Sequence, residues 1–496
     1  MSGLPTSPRS FLARGPGALL ASAIRLRAQH GSSGSEVQVA IVGLGGIDIP
    51  GSVGGRGRQL LQRFREVPGA KIVALCDVDR AVLDHGVQDC KKRGETVAAY
   101  TDFRRVLDDR NVDAVVLATP NHWHALGTIW ACQAGKDVYV EKPFSYNLWE
   151  GRQMVAAARK YKRIVQIGTQ SRASTALPQA FEYLRSGQLG SIRCAYALVY
   201  RARDGIGKVA EPTPVPPTVD YDLWCGPAPK VPLMRKHLHY EWHWVWPTGN
   251  GEMGNNGVHV IDICRWGLGQ TEPPPRALSI GGRFAFDDAG ETPNVHIGFF
   301  DYQPAPIICE IRNIQVDKTK SLGAFRNASR GIVIVCEGGW FAGENTGGAA
   351  YDTQGKLIRE FKGGRKTGEL EAAHLANFLE AVRNRRAETL FAEAEVGHVS
   401  TSCCHMANIS HRLGRQLRPE AIREIIKGNA AMEDAFERCC HYLREHGVSI
   451  EATPATLGAW VTWDAKREQF VGELAAEANR LCRREDRKPF VVPEIA

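Results

Sequence analysis

The chain has 496 residues, 43% of them apolar, and a formal net charge of +8. That length exceeds one ordinary domain and predicts two domains plus appendages, and the apolar share excludes a disordered chain. No acid precedes Glu36, so the N-terminus inflates the charge. Elsewhere the signs mix, which argues against a nucleic-acid partner.

Residues 1–35 read as a leader or disordered segment. Arg9-Ser10-Phe11-Leu12 precedes a weakly apolar stretch, Gly15 to Ile24, then Arg25-Leu26-Arg27. This resembles a twin-arginine export signal, with Pro8 where the first Arg belongs, and leads us to expect a periplasmic or exported protein. The alternatives are an organelle transit peptide and a cytoplasmic protein with a relic leader. The apolar stretch is too short to span a bilayer.

The next segment, 36–170, alternates short apolar strands with helical patterns. Strands are expected at Val37–Val42, Lys71–Asp77, Asp113–Thr119, Val138–Glu141 and Ile164–Gly168, and helices at about 56–66, 78–93, 102–109, 123–134 and 148–162. Such alternation predicts a doubly wound parallel α/β sheet, the Rossmann architecture.

Gly43-Leu44-Gly45-Gly46 follows the first strand. Gly43 and Gly45 supply a tight turn and close backbone approach to a pyrophosphate. The third glycine of that pattern is missing, since position 48 is Asp. A second cluster, Gly54-Gly55-Arg56-Gly57, implies an insertion from about Ile47 to Gly55, with Gly57 in the third glycine's place. Asp77 ends the second strand, where a carboxylate can accept both ribose hydroxyls of an adenosine. Val78-Asp79 follow, and a second acid disfavours a 2′-phosphate, so NAD is expected ahead of NADP. In Thr119-Pro120-Asn121-His122, Pro120 fixes a turn beneath the nicotinamide ribose. His122 and His124 read as packing or polar-rim residues.

Glu141-Lys142-Pro143 closes a β-branched strand. It places one cation, Lys142, at the carboxyl edge of the sheet, where such folds hold their ligands.

From Ser191 longer strands appear, at Ile192–Arg201, Ala277–Phe286, Val295–Asp301, Ile307–Arg312 and Ile332–Glu337. They predict a largely antiparallel sheet in a second domain, 171–417. Helices are expected near 369–386 and 396–413, and 418–496 reads as a helical, charged C-terminal extension with a Pro-bounded tail.

Within the second domain, the run His237-Leu238-His239-Tyr240-Glu241-Trp242-His243-Trp244 lacks a zinc spacing, and no metal site is expected. Its aromatics, Tyr240, Trp242 and Trp244, read as a platform for sugar rings. Asn255, His259, Asp262 and Trp266 recur at i, i+4, i+7 and i+11, one face of a helix. His259 can accept a hydroxyl proton there, and Asp262 can orient that ring or bind another hydroxyl. The alternative is an ordinary core histidine beneath an Asn cap. The thirteen Cys show no C-x-x-C and read as buried thiols.

Together, Glu141-Lys142-Pro143, the segment ending His259-Val260-Ile261-Asp262, and the stretch from Trp224-Cys225-Gly226-Pro227 to Trp266-Gly267-Leu268 resemble the glucose–fructose oxidoreductase/inositol dehydrogenase (Gfo/Idh/MocA) family, in a bacterial, often export-tagged branch. The resemblance runs from about Val37 to Leu417. It implies a bound nicotinamide cofactor held by Gly43, Gly45, Gly46, Gly57, Asp77, Pro120, Asn121 and Glu141. It also implies a sugar or polyol substrate held by Lys142, Asn255, His259, Asp262 and the aromatic platform. Lys142 matches the family's lysine and His259 its catalytic histidine. Asn255 stands where the family often has Asp, so proton acceptance rests on His259. Some members use tightly bound NAD to cleave glycosides by oxidation and elimination, and a non-catalytic relative is a further alternative. The resemblance also implies a Rossmann domain followed by an α/β domain with an open-faced, largely antiparallel sheet, and pairing through that open face, giving a homo-oligomer, is expected with it.

Overall fold

Six parallel strands form the first sheet: β1 (Val37–Val42), β2 (Ala70–Cys76), β3 (Ala98–Tyr100), β4 (Ala114–Leu117), β5 (Asp137–Val140) and β6 (Val165–Ile167), in spatial order β3-β2-β1-β4-β5-β6. This computed structural model describes residues 36–47, 55–363 and 365–495. The leader, with the export expected from it, and most of the insertion between Ile47 and Gly55 lie outside the described residues. Among the described residues no helix is long and apolar enough to cross a membrane.

The apolar runs became strands because helices cover both faces of the sheet. Leu60, Leu61 and Phe64 pack on one face with Val82 and Leu83. Leu126, Ile129, Met154 and Val155 pack on the other. Strand order reverses between β1 and β4, which opens a crevice at their carboxyl ends. Gly43–Gly46 and Ala118–Asn121 border it. Of these six strands only β3 escaped the sequence reading. Three residues of mixed burial carry too little pattern to register.

The second sheet holds twelve strands. Eight come first in the chain: β7 (Ile192–Tyr200), β8 (Arg276–Gly282), β9 (Val295–Phe300), β10 (Ile307–Arg312), β11 (Arg330–Cys336), β12 (Gly339–Glu344), β13 (Gly347–Asp352) and β14 (Leu357–Lys362). Ten strands run in the order β14-β13-β12-β11-β7-β10-β9-β8-β16-β15. Pairing is antiparallel except between β7 and β10.

Three late strands correct the reading of 418–496 as helical. Helices do form at Pro419–Ile426, Ala430–Glu445 and Ala475–Cys482, but β16 (Ala455–Leu457), β17 (Val461–Asp464) and β18 (Gln469–Val471) lie among them. With β15 (Arg415–Leu417) they extend the sheet, and β16 and β17 both pair with β8.

The same segment covers the face expected to be open. On β7, Ala195, Ala197 and Val199 face helix Val258–Leu268. Cys194, Tyr196, Leu198 and Tyr200 face the other way, onto Ile422, Ile426, Phe436, Cys439 and Leu443 of the C-terminal helices. Strands β9 and β10 are therefore buried along their whole length. The chain's own C-terminal helices thus occupy the central part of that face.

Chain order and layer order also part company. Helix Thr367–Asn384 packs Leu375, Phe378 and Leu379 onto the first sheet. The tail returns there too, seating Phe490 and Val492 beside Trp123 and Ile129. All thirteen Cys are free, twelve of them buried.

Candidate functional site

Two cavities meet at the carboxyl edge of the first sheet, with about 1300 and 1290 Å³ of atom-free space, solvent at their mouths included. Arg56, Glu141 and Lys142 line both.

Gly43 and Gly45, Asp77, Thr119, Pro120 and Asn121 line the first cavity. Gly43 and Gly45 have φ of 82° and 80°, which side-chain-bearing residues rarely adopt. A Cβ on Gly57 would lie 1.8 Å from the Gly43 carbonyl oxygen, so helix Arg56–Glu66 approaches the turn as only glycine permits. Gly57 thus holds the close helix–strand packing expected of a third glycine, without lining the cavity. Gly46 does not line it either. Its carbonyl accepts from Arg58 at 2.8 Å. Asp77 accepts from Leu44 N–H at 2.7 Å and from Asp79 N–H at 2.9 Å. Burial outweighs these bonds and raises its carboxyl above the ordinary range. Asp79 turns away, capping helix Arg80–Lys92 through Ala81 N–H at 3.0 Å and meeting His239 Nε2 at 2.8 Å.

This cavity fits a nicotinamide dinucleotide. The glycine turn lies at the sheet crevice, Asp77 sits at the end of β2, and the Thr119 hydroxyl is buried with no partner among the described residues. When bound, NAD supplies a two-electron hydride acceptor. Replacing Asp77 with Ala is expected to weaken NAD binding and narrow its margin over NADP. Titration with both cofactors checks this, and a wild-type preference for NADP would overturn the assignment of Asp77.

Residues 218–243 close the Asp77 end of this cavity, where the adenosine of NAD would lie. Arg80 N–H donates to the Thr218 carbonyl at 2.9 Å, and Leu223, Trp224 and His239 join the lining. The tail clasps this segment through Arg487, which donates to Asp222 Oδ1 at 2.8 Å and to the Gly226 carbonyl at 3.1 Å. Phe490 stacks edge-on against Trp123, another lining residue, at 5.6 Å. The sequence reading missed this strap because its contacts span more than 250 residues.

At the other end, Lys142 donates to the Asn255 carbonyl and Oδ1, both at 2.9 Å. Burial lowers its ammonium, Glu141 raises it, Arg56 lowers it again, and the balance is about 8. Glu141 lies against Arg56 at 2.8 Å. Burial would raise this carboxyl, but Arg56 and Lys142 outweigh burial and hold it below its ordinary range. His124, in the helix after Pro120, lies 2.7 Å from the Pro143 carbonyl and 2.9 Å from that of Thr119. It ties the cofactor loop to the Lys142 loop, a positioning role that the sequence did not disclose.

The helical face expected at 255–266 is rearranged. Met253–Gly257 is a π-turn, and the α-helix begins only at Val258. The extra residue in that turn changes the angular step. Asn255 therefore enters the first cavity and His259 the second. His259 is half-buried and has no hydrogen bond among the described residues. Burial, then the Lys142 charge, pushes its imidazole down to about 3, so the ring is neutral at ordinary pH.

Asp262 is corrected. It neither orients His259 nor reaches a cavity. Arg172 holds it with two 2.8 Å bonds, and Ser400 Oγ donates to it at 2.7 Å. Burial would raise this carboxyl, but Arg172 and Ser400 outweigh burial and keep it low. Removing one partner of such a pair strands a buried charge. Asp262→Ala is therefore expected to cost about 3 kcal/mol in stability while leaving turnover per folded molecule largely intact. Thermal unfolding and active-site-normalised rates check both parts, and an unshifted unfolding midpoint with lost turnover would restore a catalytic role.

The aromatic platform holds in part. Tyr240, Trp242 and His243 line the first cavity, with the Trp242 and His243 rings stacked at 3.6 Å. Trp244 lines neither cavity and instead backs Arg203 at 5.5 Å. Arg203 donates to the Tyr240 hydroxyl at 2.8 Å and meets Glu252 at 3.1 Å. Glu252, fully buried, also accepts from Asn255 Nδ2 at 3.3 Å. Glu252 and Arg203 thus support the Lys142 partner from behind, and no sequence pattern marked either one.

The NAD-binding Rossmann fold of an oxidoreductase family matches residues 37–169, and the C-terminal alpha/beta domain of that family matches 203–319. Together these span about half of the chain. An alpha-N-acetylgalactosaminidase of Shewanella oneidensis is 30% identical over 116 residues, 22% of this chain and 25% of that protein. A levoglucosan dehydrogenase of Pseudarthrobacter phenanthrenivorans is 27% identical over 191 residues, 37% of this chain and 42% of that one. The chain thus matches well under half the length of these curated relatives. The WlbA dehydrogenase of Bordetella pertussis, solved in complex with NADH and UDP-GlcNAcA, superposes with a TM-score of 0.54 and 17% identity, over 76% of this chain and 97% of its own. A glycine turn at the sheet crevice, a lysine at the carboxyl edge of β5 and matches to both family domains lead to one assignment: the chain belongs to the Gfo/Idh/MocA family of NAD-binding oxidoreductases.

Proposed function

We propose that this chain is an NAD-dependent oxidoreductase acting on a secondary hydroxyl, or the matching ketone, of a sugar, polyol or glycoside. The observation that carries this reading is Lys142, which lines both cavities, with His259 in the lining of the second. The reacting oxygen would accept a hydrogen bond from Lys142 Nζ, and the ammonium favours the alkoxide developing there. The hydroxyl proton would pass to an imidazole nitrogen of His259, which is free to take it because the ring is uncharged. Glu141 and Asn255 fix the lysine, and Tyr240, Trp242 and His243 give a flat wall beside it.

The test is absorbance and fluorescence spectroscopy of the purified protein for bound nicotinamide, followed by NADH formation on a panel of sugars. Protein that neither carries nor binds the cofactor would overturn the proposal and leave a non-catalytic relative of the fold.

A second reading, redox-neutral glycoside cleavage, draws on the likeness to the alpha-N-acetylgalactosaminidase. The strap over the adenosine end suits a cofactor that stays in place between turnovers. Release of a free aglycone without net NADH would select it over the first.

A further inference from the structure

The charges lining the second cavity do not balance. Four cations, Arg56, Lys142, Arg201 and Arg330, face three carboxylates, Glu141, Glu344 and Glu371. Arg56 takes two of the carboxylates, Glu141 at 2.8 Å and Glu371 at 2.6 Å. Arg330 takes Glu344 at 3.1 Å. Lys142 is bonded to the neutral Asn255. Arg201 has no ion pair among the described residues, although it lies at the mouth of a cavity that also holds Lys142 and His259.

Sheet register explains the placement. Arg330 on β11 stands opposite Val199 on β7, and Arg201 lies just past the end of β7 with its N–H still donating to the Arg312 carbonyl of β10 at 3.0 Å, so strand alternation from Val199 carries both guanidinium-bearing positions to one face. That is the face on which Val199 looks toward helix Val258–Leu268. The Arg330–Glu344 pair is solvent-exposed on both sides. Such a pair holds by about 1 kcal/mol or less, so a ligand anion can recruit Arg330 as well. Planar guanidinium forks match the oxygens of a carboxylate or phosphate through paired hydrogen bonds.

We propose that the second cavity takes a sugar bearing an oxyanion, a carboxylate or a phosphate, with Arg201 as its principal partner and Arg330 as the second. The proposal rests on reading the second cavity as the substrate side of the site. The anion docks at the mouth, and the neutral hydroxyl-bearing part of the sugar extends inward, toward Lys142 and His259. The exposed arginine thereby distinguishes acidic sugars from neutral ones and draws them in electrostatically.

Calorimetric titration of the full-length, NAD-loaded protein with glucuronate, glucose 6-phosphate and glucose tests this without requiring turnover. At least one anionic sugar should bind tenfold or more tighter than glucose. Arg201→Gln should erase that margin, and Arg330→Gln should narrow it. The side chain of Arg201 is exposed, so the substitution should leave folding unaffected, which a thermal melt confirms. Preference for glucuronate alone identifies a sugar acid, and preference for the phosphate alone identifies a phosphosugar. Equal binding of all three, no binding of any, or a preference that survives Arg201→Gln overturns the anionic site. Tight anion binding without NADH formation on any sugar would instead overturn the redox reading and leave the anionic site standing.

Discussion

Lys142→Ala is expected to lower turnover by about two orders of magnitude or more, the loss associated with one preorganised donor at a developing oxyanion. NAD binding should change little, because the turn at Gly43–Gly46 and the Asp77 carboxylate stand apart from the lysine. The pH profile supplies a second readout. The Lys142 ammonium is held down to about 8 by burial. Below that pH it is charged and can stabilise an alkoxide, and above it the charge is lost. Wild-type kcat/KM for hydroxyl oxidation should therefore fall as pH rises through about 8, and the alanine variant should lack that limb. Steady-state rates across the pH range, with cofactor binding measured separately, check both parts. Unchanged turnover in the variant would remove Lys142 from the mechanism.

Replacing His259 with Asn should cost most at neutral pH and recover in part as pH rises. The ring is pushed down to about 3, so in the wild type it is unprotonated across the working range and offers an open, weakly basic nitrogen that takes the proton as the hydride departs. Asn keeps the polarity and much of the size but has no basic nitrogen. No free carboxylate substitutes for it: Asp262 is held by Arg172 and Ser400, Glu141 and Glu371 by Arg56, Glu344 by Arg330, and position 255 is Asn. Hydroxide can take the proton from solution as its concentration grows, which shrinks the deficit. The quantity to plot is the ratio of wild-type to variant turnover against pH, because the limb due to Lys142 is common to both and cancels. A constant ratio would assign His259 to positioning, and a ratio of one would make it an ordinary packing residue.

Most elements of the first domain could be read from the chain to within a residue or two, β3 excepted. Val37–Val42 and helix 56–66 are found where the apolar pattern put them. A parallel sheet covered on both faces requires near-continuous apolar strands, and those are conspicuous in a sequence. Gly43, Gly45, Asp77 and Lys142 were legible for a related reason: each sits at the end of a strand, where the fold puts its ligands. Gly57 could be inferred from spacing, while its packing against the Gly43 carbonyl needed coordinates.

Tertiary structure alone decided the rest, because the determining contacts are remote in sequence. A π-turn at Met253–Gly257 separated Asn255 from His259, since helical periodicity assumes a constant angular step. Asp262 was claimed by Arg172, 90 residues away, and Ser400, 138 residues away. The open sheet face was filled by helices 419–426 and 430–445, whose apolar stripes predict burial but not against what. The strap over the adenosine end pairs Arg487 with Asp222 at a separation of 265 residues. Local pattern fixes an element's type and buried side. Which element meets it is settled by the packing of the whole chain, and here that packing placed Arg203 and Glu252 behind the Lys142 partner and closed the cofactor cavity.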